Sequence, residues 1–120
     1  MRTAIVVLAV VGLCGCALTP AELIEQGERT QYSSRLAPAA AAECMARNAE
    51  EINPGFTTRI RPGTPPAALD VVAQIAGMGT TLLAQITPVA GGSSVNVWMS
   101  PQLMFHERAW GGQMVRGCEG

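Results

Sequence analysis

Residues 1–15 do most to limit what this chain can fold into, because they read as a segment that is removed. Met1-Arg2-Thr3 is a short positive start, Ala4 to Leu13 is an unbroken apolar run, and small Gly15 follows. An apolar stretch of this length is too short for a stable membrane-crossing helix. With a cation before it and a small residue at its end, it has the form of a cleaved export signal. The folding unit is then residues 16–120, about 105 residues, enough for one hydrophobic core and not for two.

Composition narrows what that core is made of. Aromatic residues are only 4% of the chain against 48% hydrophobic residues in all, so the interior has to be assembled from Ala, Val, Ile, Leu and Met. All 8 basic residues are arginine. With Arg2 removed, seven arginines face 9 acidic residues, a formal charge of −2. Nothing in that balance forms the basic stripe that nucleic acid would require.

Leu13-Cys14-Gly15-Cys16 resembles the lipobox of bacterial lipoproteins, in which an aliphatic residue stands three places before the modified cysteine and a small one directly before it. Cys14 stands where Ala, Ser or Thr is usual. Taking Cys14 itself as the modified residue would put bulky Leu13 at the cut. The resemblance implies that Cys16 becomes the first mature residue, with a diacylglycerol on its sulfur and an acyl chain on its amine. Each buried acyl CH2 contributes about 0.8 kcal/mol, so two or three chains hold a protein on a membrane where one does so only marginally. Ala17 replaces the Asp that in many such proteins retains them at the inner membrane. The resemblance therefore points to the periplasmic face of the outer membrane. With Cys14 removed and Cys16 alkylated, it leaves Cys44 and Cys118 as a pair in an oxidising compartment, hence one expected disulfide. Closing a loop of roughly 75 residues stabilises a fold by about 4 kcal/mol on the chain-entropy estimate.

Thr19-Pro20-Ala21-Glu22 has the form of a capping box with proline in the first turn. It predicts a short helix to Gln26, ended by Gly27 and lying close to the membrane. Arg29 to Leu36 alternates as a half-buried strand. Alanine-rich Pro38 to Ile52 predicts a helix with Ala41, Cys44, Met45, Asn48 and Ile52 on one face and Glu43, Arg47 and Glu50 on the other, stopped by Asn53-Pro54-Gly55. Strand alternation follows in Phe56–Arg61, Leu69–Ile75, Thr80–Thr87 and Ser94–Met99, with a tight turn at Gly77-Met78-Gly79. Ser100-Pro101 reads as the cap of a last helix reaching Trp110, interrupted by Gly111-Gly112. The tail then returns to the first long helix. These patterns predict an α+β domain over 27–120: a mostly antiparallel sheet of four or five strands, helices packed on one face and one disulfide. A lipid-anchored N-terminal segment, 16–26, precedes it.

Candidate chemistry is sparse. No cofactor or metal site is expected, since a zinc site would need further His and Cys beside the cysteine pair. His106 is the sole histidine. A triad of Ser94, His106 and Asp70 would lack the Gly-x-Ser-x-Gly elbow, and Gly91-Gly92-Ser93-Ser94 suits a hairpin turn better than an anion-binding nest. Arg59 and Arg61 lie on the outward side of their strand, where they can grip a carboxylate or phosphate or simply be solvated. Trp98 alternates away from Val95 and Val97, which puts its ring on the open side of the sheet as a candidate contact surface, unless the N-terminal segment covers that face or the register is shifted by one residue. Trp110 is read as a core residue near the disulfide. The sequence therefore favours a non-catalytic, lipid-anchored envelope protein that binds another envelope component through Trp98, Arg59 and Arg61. The alternative is a membrane-tethered module that recognises a small ligand or inhibits a foreign hydrolase.

Overall fold

Thr19 opens the fold with a reciprocal cap: its hydroxyl accepts from the Glu22 N–H at 3.2 Å, and the Glu22 carboxylate accepts from the Thr19 N–H at 3.0 Å. Helix α1, Pro20–Gln26, follows, and Gly27 ends it. The computed structural model describes residues 17–120. The expected leader, the Leu13 to Cys16 motif and the expected lipidation position, Cys16, lie outside the described residues.

After α1 come β1 (Glu28–Ser34), α2 (Pro38–Ile52), β2 (Thr57–Pro62), β3 (Leu69–Ile75), β4 (Gly79–Val89) and β5 (Gly92–Met99). The five strands form one sheet in the order β1-β5-β4-β3-β2, antiparallel throughout. Strands β2 to β5 are a simple meander, while β1 adds to the free edge of β5. Helix α2 carries the chain from one edge to the other across the inner face. A 3-10 turn, Phe105–Ala109, and a short helix α3, Trp110–Val115, complete the described chain.

Strand alternation sets the core. Val71 and Ala73 of β3, Leu82, Ala84 and Ile86 of β4, and Val95 and Val97 of β5 point inward and are buried. Against them pack Ala41, Ala42, Met45 and Ala49 of α2 and Met114 and Val115 of α3. The small alanine side chains let α2 lie close to the sheet, so a core almost without aromatics still fills its volume. Trp110 is half-buried with its ring edge-on to Phe56 at 5.4 Å. The disulfide Cys44–Cys118 joins α2 to the tail, its Cα atoms 5.8 Å apart. Beside it the Asn48 amide donates to the carbonyls of Met114 and Arg116, both at 2.8 Å, closing the C-terminal end of α3. The inward stripe of α2 is therefore turned slightly from the expected one. Cys44 and Asn48 sit at its margin facing the tail, and Ala42 and Ala49 take the centre.

Three expectations are corrected. First, the segment read as a membrane-side tether is part of the domain. Leu18 bridges to Gly79, donating to the Met78 carbonyl at 3.2 Å and accepting from Thr80 N–H at 2.7 Å, and Leu23 of α1 is fully buried. Helix α1 thus covers the face opposite α2 and α3, so helices occupy both sides of the sheet. Second, Trp98 does point away from Val95 and Val97, as its position predicts, but it is only 8% exposed, packed with Leu18, Leu23, Val72 and Leu83. The covering segment removes it from the surface. Third, no helix forms from Ser100. Its N–H still extends the sheet ladder, donating to the Thr81 carbonyl at 2.9 Å, and its hydroxyl accepts from Gln102 N–H at 3.2 Å in a local turn. The last helix begins only at Trp110, with Gly111 inside it because the Met99 sulfur would stand 2.9 Å from any Cβ there.

Candidate functional site

The outer face of the sheet is built in rows by the strand register. Its lower row runs Arg59, Val72, Leu83, Trp98, Arg29 across β2, β3, β4, β5 and β1. The three apolar residues in the middle lie under α1 and Leu18, whereas Arg59 and Arg29 at the two edges are exposed. Successive strands are about 4.8 Å apart, so these guanidinium-bearing positions stand about 19 Å from one another across the sheet.

Above that row α1 gives no cover. The next row reads Arg61, Asp70, Gln85, Asn96, Gln31, again one residue from each strand. The following one pairs Thr87 with Ser94 and Ser94 with Ser33. This half of the face is polar because no hydrophobic layer covers it, and its groups are largely uncharged amides and hydroxyls. Arg61 Nε lies 3.2 Å from Asp70 Oδ2, the arginine side chain 39% exposed and the aspartate 8%. Arg61 is thereby committed to holding a buried carboxylate, while Arg59 projects outward as the alternation predicts. Gln31 Nε2 donates to Ser94 Oγ at 3.5 Å. Among the described residues, Asn96 Oδ1 is a buried side-chain oxygen with no hydrogen-bond partner. Such an acceptor is costly unless something supplies a donor.

Sequence reasoning found Arg59 and Arg61 but not the row they border. Asp70, Gln85 and Asn96 each interrupt an otherwise apolar or small-residue strand, and that interruption is the available signal. Only the register shows that the interruptions align. The serine, histidine and aspartate considered for catalysis do not converge. Ser94 lies near the start of β5, whereas His106 is exposed on the 3-10 turn beyond the far end of that strand; at 3.4 Å per residue, Ser94 and Met99 alone are about 17 Å apart. Asp70, two strands from Ser94, is held by Arg61 of the adjacent strand β2. Gly91, with φ +81°, serves the β4–β5 hairpin. Among the described residues no three His, Cys, Asp or Glu side chains gather in a way that could hold a metal ion. None of the helices there is long and apolar enough to cross a membrane.

The fold and face together describe an α+β domain with one uncovered, polar sheet surface. No family model, curated protein or solved structure matches the chain.

Proposed function

We propose that the protein is a non-catalytic bacterial lipoprotein, anchored through acyl chains on Cys16 at the periplasmic face of the outer membrane. On this reading it binds another envelope component through the polar half of its outer sheet face. One observation carries the binding role: a row of polar side chains crosses all five strands, from Arg61 to Gln31, in the half of the face that α1 leaves open. A sheet side with nothing to bury against needs no more than scattered charges. An aligned row of three amides beside an ion pair, with a row of hydroxyls next to it, instead offers donors and acceptors at regular spacing to an extended polar partner. Arg59 and Arg29 frame it, and Trp98 contributes by stiffening the row beneath rather than by touching the partner.

The unpartnered Asn96 Oδ1 favours a second reading, in which the same row receives a small polar ligand such as a glycan fragment. A photoreactive benzoylphenylalanine placed at exposed Gln31, and separately at exposed Glu43 on α2, tests both readings in intact envelopes. A discrete protein adduct at position 31 that is missing at position 43 is expected. A low-mass adduct alone selects the second reading. Identical products at both positions, or none at position 31, would exclude this face as the contact surface.

A further inference from the structure

The chain joins the fold without slack. Leu18 is 5% exposed and tied by two main-chain hydrogen bonds to Met78 of the preceding turn and Thr80 of β4, so Ala17 is the sole described residue ahead of the anchored backbone. If Cys16 carries the lipid, as proposed above, its acyl chains start one residue from Ala17. Through Ala17 they are tethered to the end of the sheet where β4 begins.

That end carries a second apolar feature. Met99, the last residue of β5, pairs with Leu82 and with Glu28, the first residue of β1, so the start of β4, the end of β5 and the start of β1 lie side by side. The segment following β5 emerges there and is held there. Ser100 N–H bonds the Thr81 carbonyl, and Arg108 Nη1 lies 2.9 Å from Glu28 Oε2. On this segment Leu103 turns inward, whereas Met104 is 65% exposed and Phe105 is 93% exposed. They are the two most exposed large apolar side chains among the described residues, adjacent in sequence. The backbone that bears them is a capped turn, in which the Glu107 carboxylate accepts from the Met104 N–H at 2.7 Å. An aromatic ring and a flexible thioether held outward in this way are what an interface between water and acyl chains accommodates. Val89, the next most exposed of the large apolar side chains, is at the opposite end of β4.

We infer that Met104 and Phe105 insert into the same bilayer surface as the Cys16 acyl chains, giving the domain a second contact that fixes its orientation. The lower end of the sheet then rests on the lipid headgroups, and the polar row from Arg61 to Gln31 lies farther from the membrane. This inference depends on the lipoprotein reading, and the test separates the two. The full chain is matured in a bacterial host, its acyl mass is checked, and it is placed in phosphatidylethanolamine–phosphatidylglycerol vesicles. Benzoylphenylalanine replaces Phe105 in one sample and Val89 in another. Both sites are exposed, so folding is preserved, and the Cys44–Cys118 disulfide reports that it is. Lipid adducts at position 105, lost at position 89, are the expected result. An acylated protein with no lipid adduct at 105, or with equal adducts at both positions, overturns the insertion while leaving the anchor intact. Capture of a protein by position 105 in native envelopes, with no lipid captured in vesicles, overturns the insertion equally. A mature chain without acyl mass overturns both.

Discussion

Trp98 illustrates how one side chain takes its role from residues far away in sequence. Its ring fills the layer between the sheet and α1 with Leu18, Leu23, Val72 and Leu83, a second small core distinct from the one beneath α2. Trp98→Ala should therefore cost about 3–5 kcal/mol of stability, as truncation of a buried large aromatic does, and lower the urea midpoint of unfolding. A midpoint changed by less than about a fifth of the native value would show that the ring is not part of a packed layer. Which side of the sheet Trp98 occupies was legible, because Val95 and Val97 alternate with it. Its burial was legible only as an alternative, cover by the N-terminal segment, because α1 supplies only Leu23 and the preceding Leu18, too few apolar residues to reveal a packing face. Asn48 behaves in the same way at the inner face. A polar residue among helix positions facing the core is explained only by the Met114 and Arg116 carbonyls that it satisfies.

Among the elements, those with strong local rules were readable from residues alone. The capping box of α1, the alanine run of α2 and the glycine turns between strands placed their elements within a residue or two of where they lie. The segment after β5 was not readable, since Ser100-Pro101 has the chemistry of a helix start while Ser100 N–H is claimed by the Thr81 carbonyl of the neighbouring strand. A long-range ladder bond overrode a local cap. The bridge between Leu18 and Gly79 was equally hidden, and it gives a prediction of its own. Gly79 takes φ +74°, and a Cβ there would stand 2.5 Å from the Leu18 carbonyl oxygen. Gly79→Ala should thus push the N-terminal segment off β4 and cost about 1–3 kcal/mol through strain and lost pairing. Faster hydrogen exchange at the Leu18 and Thr80 amides, with the amides of Val71 and Ala84 still protected, is the expected signature. Unchanged exchange at Leu18 would mean the bridge does not hold that segment.

Considered whole, the molecule is a small domain whose inner face is closed by α2 and α3, whose outer face is half covered by α1 and Leu18, and whose ends differ in character. The disulfide spans 74 residues and ties the tail to α2, so it encloses most of the sheet within one covalent loop. Replacing both cysteines, Cys44→Ser with Cys118→Ser, should remove about 4 kcal/mol from a stability of about 5–10 kcal/mol, seen as a lower thermal midpoint and greater protease sensitivity. A doubly substituted protein as stable as the parent would locate the stabilisation in side-chain packing instead. The direct hand-over from Ala17 to Leu18 has a further consequence for reach. If Cys16 carries the acyl anchor proposed above, the described fold begins one residue after it, and the span of the protein above the lipid is set by its own skeleton. The longest strand, β4, has 11 residues and spans about 34 Å at 3.4 Å per residue. Whatever meets its distal hairpin must come within that height, as a neighbour in the same leaflet or a long polymer passing close by. Spacer residues inserted ahead of Ala17 would convert a standing post into a tethered float.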